Sequence, residues 1–252
     1  MHPRLEVLFT PAEFAGLNQR DLSGTTCVVF DVLRFTSTVV TALANGAAAV
    51  VPVPDISRAL TLKLAEPDVL LGGERGGLKI TAELTGGIEF DLGNSPREYV
   101  AERVAGKTIV TTTTNGSRAF NACAGARAVY ACAFLNLSAT ARRLASAPPP
   151  ELLLVCSGTY EEAALEDAAA AGALCNLLWD HYSPGDVADS AQLARAVWLW
   201  LEGDLGRLAE LSKNARRLRR LPGLGDDVAF CLRTDVYALV AQLDSRGRIV
   251  AS

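Results

Sequence analysis

The chain has 252 residues, of which 50% are hydrophobic and 21% charged, with a formal net charge of −4. That length buries a core as one large α/β domain or two small subdomains, and the acidic balance offers no basic surface for nucleic acid. Two histidines (His2 and His181) and six cysteines without a CxxC pair speak against a histidine-based triad, a zinc knuckle or a disulfide framework.

The longest uncharged run, 35–54, contains Asn45, Gly46, Pro52 and Pro54. It reads as a helix, a turn and a strand, not a membrane span. The start carries Arg4 and Glu6 where a secretory leader needs an apolar stretch, so a cytoplasmic protein with reduced thiols is expected. Any metal must then be held by carboxylate oxygens, which points to Mg²⁺ or a similar hard ion.

Strands and helices alternate along the chain. An apolar strand at 25–30 leads to a helix at 36–45, and a strand at 49–53 leads to a helix at 57–66 with Ser57 as its cap. A short strand at 69–71 runs into the glycine-rich loop GGERGG at 72–77. Ser95, Pro96 and Glu98 have capping-box spacing with proline at the first helical position, which predicts a helix start. A β-branched strand at 109–113 breaks at Asn115-Gly116, before a helical segment near Ser117. A strand at 128–131 and a helix at 138–145 follow.

Pro148, Pro149 and Pro150 interrupt the chain before an apolar strand at 152–155. An alanine-rich helix is predicted at 161–179. Segment 187–221 reads as mostly helical, with the basic run 213–220 as a solvated face. Asp226 is placed as the cap of a short helix reaching Leu232, and strands at 237–243 and 248–250 close the chain. The whole chain, 1–252, reads as a single domain; if two subdomains exist, they meet near 146–151. Trp198 and Trp200 suit either core or interface, so a homo-oligomer stays open.

Strands separated by helices imply a mostly parallel or mixed sheet covered on both faces, and ligands in such sheets sit at the strands' carboxyl ends. Those ends carry Asp31 to Arg34, Gly72 to Arg75, Thr114 to Gly116, and Cys156 to Thr159. The Thr114, Asn115, Gly116 and Ser117 group, with Arg118, suits an anion, because backbone N–H groups and a guanidinium both favour negative charge. An Asn-Gly hairpin is the plainer alternative. Asp31 is read as a metal ligand, a nucleophile or merely a helix cap. Glu74 and Arg75 lie between glycines, as a ligand loop or a surface turn. Asp167, beside Glu166 and before an alanine run, is aimed at a metal or donor unless it is solvated. A Cys156 thiolate has no nearby histidine to serve as its base.

Four ordered segments, DVLRFTST at 31–38, GGERGGLKI at 72–80, GNSP at 93–96 and TTTTNGSR at 111–118, resemble the 2-phosphosulfolactate phosphatase family. CSGT at 156–159 and EDAAAAG at 166–172 continue the likeness, which runs from about residue 5 to 245. The resemblance implies a three-layer α/β/α fold and Mg²⁺-dependent hydrolysis of 2-phospho-3-sulfolactate to 3-sulfolactate and phosphate, a step of coenzyme M biosynthesis. It implies Asp31, Glu74 and Asp167 as metal ligands, and Asp31, Arg34, Glu74 and Arg75 as catalytic residues. Thr114, Asn115, Gly116, Ser117, Arg118, Asn94, Ser95, Ser157 and Gly158 would grip a small anionic phosphoester, with Lys79 as a further cation. Residues 81–89 form a longer link than the family's compact one. A phosphatase for another small phosphorylated acid, or a non-catalytic anion-binding protein, are the competing expectations.

Overall fold

A computed structural model describes residues 4–252. His2 and the start of the segment read for a leader lie outside the described residues. Among the described residues, ten strands form one sheet: β1 (Arg4–Leu8), β2 (Thr25–Phe30), β3 (Ala49–Pro52), β4 (Leu70–Arg75), β5 (Leu78–Lys79), β6 (Thr108–Thr112), β7 (Ala128–Cys132), β8 (Glu151–Cys156), β9 (Ala241–Leu243) and β10 (Ile249–Ala251). Their order is β1-β8-β2-β7-β9-β10-β3-β6-β4-β5. β1, β8, β2 and β7 pair in parallel, as do β3, β6 and β4. The hairpin β9–β10 joins the two blocks by antiparallel pairing on both sides.

Helices cover both faces, giving three α/β/α layers. In β2, Cys27 and Val29 face one layer while Val28 and Phe30 face the other, so every residue of the strand is buried. The period-2 alternation of a strand explains why it is apolar throughout. On the first face lies the helix Phe35–Ala44, buried from Phe35 to Leu43. On the second, the helix Leu165–Leu178 packs on Asp189–Leu201. No helix among the described residues is long and apolar enough to cross a membrane.

Several local expectations change for identifiable reasons. β4 runs through Gly72 to Arg75 as a strand, because a Cβ at Gly72 would strike the Tyr99 hydroxyl and one at Gly73 the Thr112 carbonyl. Those two glycines permit close packing and do not form a loose loop. Asp55, not Ser57, caps the helix Ile56–Ala65 by accepting the Arg58 N–H at 2.8 Å. Ser95 starts only the 3₁₀ turn Pro96–Glu98, since its hydroxyl donates to Asp227 and Glu98 accepts instead from the Gly93 N–H. The alanine-rich helix begins at Leu165, after a turn in which Thr159 and Glu162 exchange backbone hydrogen bonds. Asp226 lies inside the first turn of Gly225–Cys231 and does not cap it. The closing strand begins at Ala241, later than the sequence suggests, while β1, β5 and the helix Pro11–Ala15 were not foreseen.

Gly172 sits where Leu165–Leu178 crosses Asp189–Leu201, and a Cβ there would overlap the Ala194 backbone carbonyl. Gly172→Ala gains about 1 kcal/mol of helix propensity. Overpacking against a backbone costs about 1–3 kcal/mol. The variant is therefore expected to unfold at lower urea concentration than the parent; an unchanged or higher midpoint would contradict the close crossing.

Candidate active site

The carboxyl ends of β2, β4, β6 and β8 open into one cleft. It is lined by Asp31, Leu33, Arg34, Glu74, Gly76, Gly77, Asn94, Thr114, Asn115, Gly158, Thr159 and Tyr160, with Asn214, Arg217 and Leu218 opposite. The two parallel blocks run in opposite senses locally. Twist of about 20–25° per strand, accumulated over the five steps from β2 to β6, turns the strand direction by about 100° or more. The ends can then face a common space.

Asp31 is part-buried on the cleft floor, directly after β2. It accepts the Phe35 N–H at 3.1 Å, fixing the first turn of the buried helix, so the capping role and the cleft position coexist. Its Oδ2 lies against Gly116, where any side chain would collide with it and with the Phe35 ring. Burial, reinforced by the Glu74 and Glu166 charges, pushes the Asp31 carboxyl up to about 6, against the Phe35 N–H and Ser157 hydroxyl, which favour ionisation.

Glu74 is buried at the end of β4 and accepts the Thr114 N–H at 2.7 Å and the Gly77 N–H at 2.6 Å. Asp167 accepts the Val32 N–H at 2.8 Å, the Gly158 N–H at 3.2 Å and the Ser157 hydroxyl at 3.4 Å. It thereby ties the loops after β2 and β8 together. Glu166 accepts the Ser212 hydroxyl at 2.7 Å and Asn214 at 3.0 Å, and Asn214 also donates to the Leu33 carbonyl. Burial raises the Asp167 carboxyl well above its usual range, with the Glu166 and Asp31 charges adding to it; burial raises Glu166 too.

Among the described residues no three Asp, Glu, His or Cys side chains form a metal-holding cluster. Asp31, Glu74 and Asp167 therefore do not make the expected three-carboxylate site: Glu74 and Asp167 give their oxygens to backbone N–H groups. Two further oxygens of the cleft residues are free of such bonds. The side-chain carbonyls of Asn94 and Asn115 are buried without a hydrogen-bond partner, and both residues line the cleft. The Asn115 amide donates to the Tyr160 carbonyl at 2.9 Å, which fixes its oxygen's orientation. A buried acceptor without a donor costs about 1–3 kcal/mol. The carboxylate of Asp31 and these amide oxygens are hard donors of the kind that would suit a divalent cation such as Mg²⁺.

The cations are arranged differently from the sequence expectation. Arg34 is buried, bonded to Asp227 at 2.7 Å and to the Gly77 carbonyl, so its charge is already balanced. Ser95 donates to the same Asp227 and does not line the cleft. Arg75 follows Glu74 in a strand and so points to the opposite face, where it bonds Thr112. Arg118 is outside the cleft, paired with Glu161 at 3.1 Å, and Lys79 pairs with Glu89. Ser117 exchanges hydrogen bonds with Thr113, which occupy both its hydroxyl and its N–H. Ser157 and Gly116 are buried behind the lining. Cys156 is fully buried, and burial with the Asp167 charge pushes its thiol well above the usual range, which removes a thiolate nucleophile.

Sequence reasoning missed Tyr160, Asn214, Arg217 and Asp227. Asn214, Arg217 and Leu218 follow one helical face at i, i+3 and i+4, a spacing visible inside the basic run that was read as solvated. Arg217 donates to the Gly76 carbonyl at 2.9 Å and lies 5.2 Å from the Tyr160 ring centre. It is the cleft-lining arginine without a carboxylate partner among the described residues. Nothing in the sequence distinguished Asp227 from Asp226 beside it.

A family model described as 2-phosphosulpholactate phosphatase matches residues 12–246. A protein from Thermotoga petrophila is 41% identical over 86% of this chain and 88% of its own length, and one from Caldicellulosiruptor saccharolyticus is 36% identical over 93% and 96%. A third, from Symbiobacterium thermophilum, is 39% identical over 87% and 91%. All three bear the name probable 2-phosphosulfolactate phosphatase. The matched region contains the carboxylates, amide oxygens and arginines of the cleft, and the chain belongs to the 2-phosphosulfolactate phosphatase family.

Proposed function

We propose that the chain is a Mg²⁺-dependent phosphatase that hydrolyses 2-phospho-3-sulfolactate to 3-sulfolactate and phosphate, a reaction of the coenzyme M biosynthesis type. The observation that carries this reading is the sign of the cleft. Asp31 and Glu74 line it, Glu166 and Asp167 lie beneath it, and Arg34 is neutralised by Asp227. Arg217 on the opposite wall offsets one of these carboxyls, and the rest disfavour a phosphoester unless a cation enters with it. A protein that only bound anions would gain nothing from those carboxylates, which disfavours the non-catalytic alternative.

Asp31, with the side-chain carbonyls of Asn94 and Asn115, would hold Mg²⁺, which would supply neutralisation of the phosphoryl charge. The chain's own residues do the rest. Glu74 fixes the Thr114 and Gly77 backbone, which shapes two sides of the cleft. Asp167 holds the Val32 and Gly158 loops against each other. Arg217 reaches from the opposite wall toward a second anionic group, the sulfonate or carboxylate of the substrate. In the reaction a water oxygen bonds to phosphorus, the phosphorus–ester oxygen bond breaks, and the released oxygen takes a proton to become the sulfolactate hydroxyl. Positioning and charge balance suffice for such a transfer.

Phosphate release from 2-phospho-3-sulfolactate, beside 2-phosphoglycerate and phospholactate, tests this reading. Release is expected to stop with EDTA, return with Mg²⁺ and favour the sulfonated ester at least tenfold. Equal rates on all three esters would keep a phosphatase and discard the sulfonate assignment. No release from any of them by folded, Mg²⁺-supplied protein would sink the enzymatic reading. A second expectation concerns Arg217→Ala. It should raise KM for the sulfonated ester by about 10–100-fold, the loss of one charge-assisted bond, while kcat changes little. A loss confined to kcat would show that Arg217 serves the phosphoryl group instead.

A further inference from the structure

A second cavity, of about 390 Å³, lies at the amino-terminal end of β2 and β7, the far end of these strands from the catalytic cleft. β2 has six residues, so the two sites stand about 20 Å apart along the sheet. Register explains the cavity's wall. Thr26 pairs with Ala128, and Tyr130 pairs with both Val28 and Gln242. The alternation of β2 and β7 therefore places Thr26, Ala128, Tyr130 and Gln242 on one face. The helix Leu137–Ala145 and the proline segment cover that face incompletely, leaving Leu144, Pro148 and Pro149 as an apolar border.

Two features of this cavity suit an anionic ligand. Arg127 and Arg143 reach it from different elements, the turn before β7 and the last turn of the helix Leu137–Ala145. Neither has a hydrogen bond, ion pair or ring partner from its side chain among the described residues. Glu151, next along the chain after the prolines, is already held by Arg20 and Thr25. The second feature is independent of charge. Tyr130 is 4% exposed and Thr26 5% exposed, and their hydroxyls, which bond no other side chain or backbone group among the described residues, are not sealed off but open into the cavity. The helix carboxyl terminus favours a nearby cation and so accounts for Arg143 alone. It does not account for Arg127 or for the two hydroxyls that open from the same wall.

We infer that this cavity is a second anion site, which binds the tetrahedral oxyanion group, phosphate or sulfonate, of a small organic molecule. Two guanidinium groups and two hydroxyls approach from different sides, and a tetrahedral oxyanion offers three oxygens to share among them. The apolar border takes the carbon frame, and the volume matches a small-molecule pocket. The catalytic cleft plays no part, so this inference stands whether or not the proposed reaction is correct.

Titration of ¹⁵N-labelled protein with inorganic phosphate, methanesulfonate and acetate, followed by amide shifts, tests the site. With phosphate and with methanesulfonate, the amides of Arg127, Ala128, Leu144 and Ala147 should shift and saturate as one set, separately from those of Thr114, Gly158 and Tyr160. In the double variant Arg127→Ala/Arg143→Ala, binding at the distal set should weaken at least tenfold, while cleft shifts and phosphatase turnover stay unchanged. Tyr130→Phe, which preserves the packing, should weaken the distal set several-fold. Three results would overturn the inference: shifts confined to the cleft set, distal shifts that never saturate, or distal shifts unaltered in the double variant. Acetate binding as tightly as phosphate would overturn the assignment to a tetrahedral oxyanion.

Discussion

Excess negative charge in a confined space is the constraint on which the site depends. Asp31, Glu74, Glu166 and Asp167 influence one another across the floor of the cleft, and burial removes the water that would screen them. The fold meets this in two ways. Glu74, Glu166 and Asp167 are satisfied by backbone N–H groups, Ser212 and Asn214, and these bonds hold neighbouring loops in place. Asp31 is left with less: one N–H from Phe35, the Ser157 hydroxyl that it shares with Asp167, and an oxygen facing Gly116. It is where a cation brings most relief.

The architecture follows from the need to assemble that patch. No single parallel block supplies it, because Asp31 and Gly158 follow β2 and β8 while Glu74 and Thr114 follow β4 and β6. The inserted β9–β10 hairpin joins the two blocks, and sheet twist brings their ends together. Close packing at Gly73 sets β4 against β6, which brings Glu74 within hydrogen-bond reach of the Thr114 N–H. The buried Arg34–Asp227 pair then joins the loop after β2 to the helix Gly225–Cys231. Buried pairs of this kind add little net stability, and removing one partner leaves the other uncompensated. Its evident consequence here is geometric: Arg34 is held along the cleft wall.

How much of this was legible depends on the range of the interactions. The strands at β2, β6, β7 and β8 show in the sequence because their apolar, β-branched composition is a local property. The gathering of Asp31, Glu74, Thr114, Asn115 and Gly158 was legible because carboxyl ends of strands are a recurrent ligand position, whereas Asn94 was legible only through the family resemblance. Side-chain direction was not. Glu74 and Arg75 look equivalent in a glycine-rich string, and only their place in a strand sends one into the cleft and the other away. Arg34 shows no sign in the sequence that Asp227, 193 positions later, takes its charge. Arg217 was hidden by a basic run whose other members are solvated, while Asp167, read as aimed at a metal or a donor, meets backbone donors whose identity no composition reveals. The central place of Asp31 follows from its position directly after an apolar strand.

Stability against pH, measured by urea unfolding of the parent and Asp31→Asn with and without Mg²⁺, tests the central claim most directly. The raised Asp31 carboxyl keeps its proton in the fold where the unfolded chain has lost it, between its ordinary value of 3.8 and about 6. Without metal the parent should therefore lose stability as pH rises through that interval, and the raised Glu166 and Asp167 carboxyls should continue the loss above it. Asp31→Asn should have a shallower slope and greater stability than the parent above pH about 6. Mg²⁺ should stabilise the parent there and do little for the variant. Superimposable curves for the two proteins, or equal stabilisation of both by Mg²⁺, would show that the cation is not held at Asp31.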